Sequence, residues 1–274
     1  SSIPSGNNTV SIERGSFRTH FPIEIEPETT HYLPEPICIP ATTKMAVVTG
    51  IYDQVQDVID GLGYEIREHY TDRPTGINYE LNPGGSIDLI NGSSSSYWLQ
   101  TFLSDPVWMS EYDIILFNCG LLDSLFDPTQ ELTQNALDNL RDFVEAGGSI
   151  YASDWASELI RMAFPGRINF LGDDSQFGLS RIGMDNPNQT ALVVDEGLEE
   201  ALGTNSVLVN LNLPLWSVLD TADNQPENLT ILVKGNVFHY DPDDYNLFSD
   251  DQEVPHSPLI VRFTYGNGRV LYTS

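Results

Sequence analysis

The chain has 274 residues, with 40 acidic side chains against 12 basic ones and a formal net charge of −28. A surface this negative repels nucleic-acid phosphates and anionic lipid heads, which excludes both as partners. No apolar run approaches the roughly 18–20 residues of a membrane helix, so no membrane span is expected, and a lipid anchor upstream stays compatible with the sequence.

Lysine occurs only at Lys44 and Lys234, and the sequence pI is near 4.1. Such a solvated acidic surface suits salty or extracellular conditions, so the expected location is extracytoplasmic: periplasmic, cell-surface or secreted. The opening Ser1–Thr9 reads as a processed N-terminus or tether. Cys38 and Cys119 are either one disulfide, which suits an oxidising compartment, or two buried free thiols. Asn-x-Ser/Thr sequons begin at Asn7, Asn91, Asn188 and Asn228, and matter only in a host that glycosylates.

Residues 1–43 are punctuated by Pro22, Pro27, Pro34, Pro36 and Pro40, and read as an extended N-terminal arm. A single α/β domain is expected over 44–274. Regular structure is expected to start at Lys44–Gly50, a short apolar run ending in glycine, a buried-strand signal. Asp53 is placed to cap a helix over Gln54–Leu62, where Val55, Val58, Ile59 and Leu62 share one face. Glu65–Tyr70 reads as a second strand. Thr71–Ser96, rich in Gly, Ser, Asn and Pro, reads as one long functional loop or insertion. Tyr97–Met109 carries Trp98, Phe102 and Trp108 and reads as a short helix.

Asp113–Gly120 is the strongest strand signal. Ala136, Leu137, Leu140, Phe143 and Val144 then recur at helical spacing before Gly147-Gly148. Ser149–Ala152 is a further strand, and Trp155–Ala163 a further helix. This alternation predicts a parallel sheet covered on both faces. Ser206–Leu213, Leu229–Val233 and Pro258–Tyr265 are strand-like, and Gly266-Asn267-Gly268 joins the last of these to Arg269–Thr273 as a hairpin. The fold class is therefore α/β: a flavodoxin-like parallel sheet with helices on both faces, an extended N-terminal arm and a C-terminal β-hairpin.

From about Met45 onward the pattern resembles the class I glutamine-amidotransferase-like superfamily. The resemblance rests on the opening strand and helix, the Tyr112–Gly120 strand, the segment Leu140–Tyr151 and the closing Tyr265–Tyr272 hairpin. Catalytic members of that superfamily place a Cys, or a Ser in peptidase relatives, on a strained turn between the strand matching Ser149–Ala152 and the next helix. That turn exposes the nucleophile and aims backbone amides at the developing oxyanion. Here the turn reads Ala152-Ser153-Asp154-Trp155-Ala156, without a cysteine. With Asp154 at the turn, the amidotransferase nucleophile is absent. With Ser153 there, a serine hydrolase is conceivable. The residues alone also allow Ser153 or Asp154 to cap the helix beginning at Trp155.

Cys119 matches the end of the strand that forms part of the family's oxyanion wall, and not the nucleophile turn. The family's catalytic histidine follows the last strand, and none of His20, His31, His69, His239 or His256 sits at that place. Separately, Asp241, Asp243, Asp244, Asp250 and Asp251 crowd one acidic stretch that offers oxygen ligands for Ca²⁺, although its spacing departs from the EF-hand pattern. No phosphate loop or dinucleotide fingerprint occurs. The expected cofactor is therefore none, or calcium. The expected function is a non-catalytic extracytoplasmic binding or structural assembly protein, with a protein partner or self-assembly. A serine-type peptidase or amidase using Ser153 and a calcium-dependent surface or adhesion component are the alternatives.

Overall fold

A computed structural model describes residues 5–14, 17–27, 30, 43–70, 81–93, 96–121, 131–172, 180–240 and 252–274. Two strands, β1 (Gly6–Arg14) and β2 (Phe17–Ile25), pair antiparallel as a separate two-stranded sheet. The stretch read as an extended arm therefore contains a ladder. That ladder pairs Val10 with Phe21 and Ile12 with Thr19, and Pro22 interrupts the period-two sequence pattern.

The main sheet begins with β3 (Met45–Thr49), followed by α1 (Val55–Gly61) and β4 (Ile66–Tyr70). Every residue of β3 is buried. Ala46 and Val48 join one apolar cluster and Met45 and Val47 join another, as expected of a strand with helices on both sides. The reading of 71–96 as one long loop fails at β5 (Ile87–Asn91), whose five residues are all buried. Asp88 breaks the apolar run and hides this strand from a pattern search. In the fold Asp88 is wholly buried, ion-paired with Arg67 of β4 and hydrogen-bonded by the Tyr112 hydroxyl at 2.5 Å.

Two short helices, α2 (Ser96–Ser104) and α3 (Pro106–Met109), replace the single helix expected over 97–109. Asp105 separates them and caps α3 by accepting from Val107 N and Trp108 N, and Pro106 sits in the first turn. Then come β6 (Ile114–Phe117), α4 (Glu131–Ala146), β7 (Ser149–Ser153) and α5 (Ser157–Ala163). α4 buries Ala136, Leu137, Leu140, Phe143 and Val144, the stripe read from its spacing. The chain continues as β8 (Asn186–Val193), α6 (Glu196–Leu202), β9 (Ser206–Leu211), β10 (Thr230–His239), β11 (Gln252–Tyr265) and β12 (Gly268–Thr273).

The sheet has ten strands in the order β4-β5-β3-β6-β7-β12-β11-β10-β8-β9. From β4 to β12 all neighbours are parallel, and from β12 to β9 all are antiparallel. The β11–β12 hairpin makes the change of sense. Its second strand lies parallel to β7, with Thr273 beside Ser153. A main core packs the parallel strands against α2, α4 and α5, and α1 covers Val47, Leu89 and Leu116 on the other face. The antiparallel extension has its own core around Ala191, Trp216, Val233 and Leu259. This is the expected α/β, flavodoxin-like layout, enlarged by an antiparallel wing whose strand β8 and helix α6 lacked a clear sequence signal.

The hairpin turn sits hard against the end of α4. A Cβ on Gly268 would fall 2.1 Å from Gly148 O and 2.2 Å from Val144 O, both backbone atoms. Gly268→Ala must push the turn off the helix and should cost roughly 1–3 kcal/mol, the usual range for overpacking. Urea unfolding measures this, and an unchanged midpoint would show that the turn yields freely.

Candidate functional site

In parallel α/β sheets, ligand-facing residues gather beyond the carboxyl ends of the strands. Here those ends bring together Asp53 after β3, Asn118 and Cys119 after β6, Ser153 and Asp154 at β7, and Tyr272 on β12. Asp154 has φ 40°, a left-handed backbone at the strand-to-helix turn. Aspartate tolerates that region better than most residues, but the conformation still costs energy that the surroundings must repay.

The surroundings do so through hydrogen bonds. Asp154 Oδ1 accepts from Ser217 N–H at 3.0 Å, and Oδ2 accepts from the Cys119 thiol at 3.3 Å. The Tyr272 hydroxyl, itself fully buried, donates to Asp154 O at 3.0 Å. Burial pushes the Asp154 carboxyl up to about 6, and the negative Asp53 nearby adds to this. The Ser217 amide, the thiol and the Arg181 charge pull the other way. Burial, followed by the Asp154 charge, drives the Cys119 thiol well above its usual range.

Ser153 Oγ donates to Asp53 Oδ2, and Asp53 Oδ1 also accepts from Cys119 N–H at 2.6 Å. Desolvation raises the Asp53 carboxyl despite these bonds. Two expectations are corrected here. Asp53 does not cap α1: its N-cap position is Gln54, without a side-chain capping bond, because the Asp53 carboxylate is drawn across to β6 and β7. Nor do Ser153 and Asp154 cap the helix after β7. Ser153 makes no capping bond, and Asp154 reaches to Ser217, about sixty residues further along the chain.

Cys119 is a buried free thiol. Cys38, its candidate disulfide partner, lies outside the described residues. So do Asp241, Asp243, Asp244, Asp250 and Asp251. Among the described residues no group of three or more His, Cys, Asp or Glu side chains is arranged to hold a metal ion. No described helix is long and apolar enough to cross a membrane.

Sequence reasoning missed Ser217, Tyr272, Trp155 and Arg181 as parts of this cluster. Trp155 Nε1 donates to Leu215 O at 2.8 Å, its ring meets Tyr52 edge-on at 5.3 Å, and the Arg181 guanidinium lies 4.4 Å over it. Ser157 and Ser217 share a hydroxyl hydrogen bond of 2.8 Å. These contacts join segments far apart in sequence, and no spacing rule reveals them. Gly50 has a local reason: a Cβ there would lie 1.8 Å from Cys119 O, so glycine lets the β3 and β6 ends meet. A cleft of about 700 Å³ lined by Met109, Asp113, Asn139, Asp142 and Arg269 opens at the opposite, amino-terminal edge, away from this cluster.

The geometry defines a flavodoxin-like α/β protein with an acidic residue on the turn after its fifth parallel strand in chain order. No protein-family model matches the chain, and no curated protein matches it. Among solved structures it is similar to a ThuA-like protein from Bacteroides uniformis ATCC 8492, at 14% identity, with 88% of this chain and 85% of that one covered and a TM-score of 0.49. It is also similar to a glutamine amidotransferase from Thermotoga maritima, at 8% identity over 85% and 74% of the two chains, TM-score 0.45. A cytoplasmic protein from Salmonella typhimurium matches at 12% identity over 97% and 82%, TM-score 0.44. At such identities the likeness concerns architecture alone.

The raised Asp154 carboxyl has a definite pH consequence. Between the ordinary value of 3.8 and about 6, the folded chain keeps a proton that the unfolded chain has lost. Stability therefore falls as pH rises through that window. Asp154→Asn retains an acceptor for Ser217 and tolerates the left-handed turn. It should flatten the slope, gaining on the parent by on the order of 1–3 kcal/mol from about pH 4 to pH 7. Urea unfolding across that range checks this, and parallel curves for the two proteins would contradict it.

Proposed function

We propose that this chain is a binding or assembly protein working outside the cytoplasm, on a glutamine-amidotransferase-like scaffold whose strand-to-helix turn performs no nucleophilic chemistry. The observation that carries the reading is Asp154 itself. It occupies the left-handed turn, and its two carboxylate oxygens are engaged by Ser217 N–H and the Cys119 thiol. A nucleophile needs a free lone pair aimed at the substrate and a base to take its proton. Ser153 Oγ is buried and spends its proton on Asp53, and no described histidine is hydrogen-bonded to it. The Cys119 thiol is held in its protonated, unreactive form by burial and by Asp154. The net charge of −28 supports the extracytoplasmic setting, since such a surface stays hydrated in salty surroundings.

The serine-hydrolase alternative is tested directly with a fluorophosphonate probe on the folded chain, with iodoacetamide as a parallel probe for Cys119. The expected outcome is no modification of either residue until the protein is unfolded, and a Ser153→Ala variant indistinguishable from the parent towards ester and amide substrates. Stoichiometric labelling at Ser153, lost in Ser153→Ala, would overturn the reading.

A further inference from the structure

Among the described residues the ten-stranded sheet has two unpaired edges, β4 and β9. Edge strands invite pairing with another chain, and charged side chains are the usual protection. β4 carries Arg67, Glu68 and His69. β9 reads Ser-Val-Leu-Val-Asn-Leu and carries none, and the whole run from Gly203 to Leu219 lacks a charged side chain. In a chain with 40 acidic residues that gap is conspicuous. Exposed apolar residues concentrate at the same place: of thirteen large ones among the described residues, Leu192, Val194, Leu202, Leu208, Leu213 and Leu215 fall within 192–215. Leu208 on β9 is 68% exposed.

The backbone of β9 is also open. Val193 N–H bonds Asn205 O at 2.9 Å, and the register pairs Ala191 with Val207 and Gln189 with Val209. By the alternation of an antiparallel ladder, Val207 and Val209 turn their N–H and C=O groups to β8, and Ser206, Leu208 and Asn210 turn theirs outward. Thr204 Oγ1 meets both Ser206 groups, donating to its C=O at 3.2 Å and accepting from its N–H at 3.3 Å. Leu208 and Asn210 have no such partner among the described residues.

We propose that β9 is the docking strand for a second copy of this chain, added antiparallel about a two-fold axis at Val209, so that two ten-stranded sheets become continuous. Leu208 then pairs with Asn210 of the other copy and the reverse, which satisfies all four open groups on each chain. A second copy is favoured by charge. Two chains of net charge −28 repel over most of their surfaces, and β9 is an edge where they meet without like charges opposed. A basic partner would find its complement elsewhere, on the acidic surface. Self-pairing through one patch is the ordinary isologous arrangement of homodimers. This inference specifies the assembly part of the function proposed above and rests on that reading.

Sedimentation equilibrium of the whole chain tests it, at micromolar concentration in low salt and in about 1 M salt, where the screening length falls to about 3 Å. The expected result is a dimer that strengthens with salt. Leu208→Glu, on an exposed side chain, sets two carboxylates diagonally across the two-fold axis and should weaken dimerisation in low salt at least about tenfold, with circular dichroism unchanged. Asn210→Pro, which deletes an outward N–H, should do the same. A wild-type monomer throughout, or a Leu208→Glu dimer as tight as the parent, would overturn the proposal. Fluorophosphonate treatment of the same samples separates the two readings: labelling at Ser153 counts against the non-catalytic reading, and an unlabelled monomer counts against the docking strand alone.

Discussion

The bond from Ser217 N–H to the Asp154 carboxylate ties the turn after β7 to the segment between β9 and β10. Asp154 ends the fifth parallel strand in chain order, and Ser217 belongs to the segment that leads from β9 into β10. Around that bond the same two segments share the Trp155–Leu215 and Ser157–Ser217 hydrogen bonds. Tyr272, from the strand beside β7, braces the peptide of Asp154 from below. A left-handed aspartate is expensive by itself, and persists where its neighbours over-determine it, as they do here. The turn is thus held by groups that would otherwise be buried without partners, which is why its geometry is costly to change.

This constraint bears on what the turn can do. In an enzyme of the resembled kind, the same backbone shape aims a reactive side chain outward and leaves amides free for a developing negative charge. Here the side chain turns back to bind an amide and a thiol, and the carboxylate already supplies negative charge where an oxyanion would need the opposite. Asp53 adds a second carboxylate a short distance away. The electrostatics at this edge oppose anionic intermediates. The antiparallel wing that Asp154 contacts through Ser217 also carries the uncharged edge strand β9.

Much of the parallel half was legible from the chain. β3, β6, β7 and α4 announce themselves because each buries nearly all of its apolar pattern in the cores on the two faces of the sheet. The Gly266-Asn267-Gly268 hairpin was legible because positive φ demands glycine, found at Gly266 with φ 55°. β5 was not, because Asp88 reads as a surface residue until Arg67 and Tyr112 are seen around it. Asp53 was legible as a residue of interest but not in its role, since a local cap and a bond across a hundred residues to Ser153 look alike in one dimension. Ser217 had no signal at all: a small polar residue in an uncharged run gains meaning only from the backbone N–H it offers to Asp154.

The most direct measurement is an NMR pH titration that follows the Ser217 amide together with the Asp154 side-chain carboxyl. If the carboxyl holds the turn as described, both report one transition with a midpoint near 6, and the Ser217 amide shift moves with it as the charge on its acceptor changes. A Ser217 amide that does not move while the Asp154 carboxyl titrates would show that the two are not bonded. That result would return the turn to the list of candidate reactive sites.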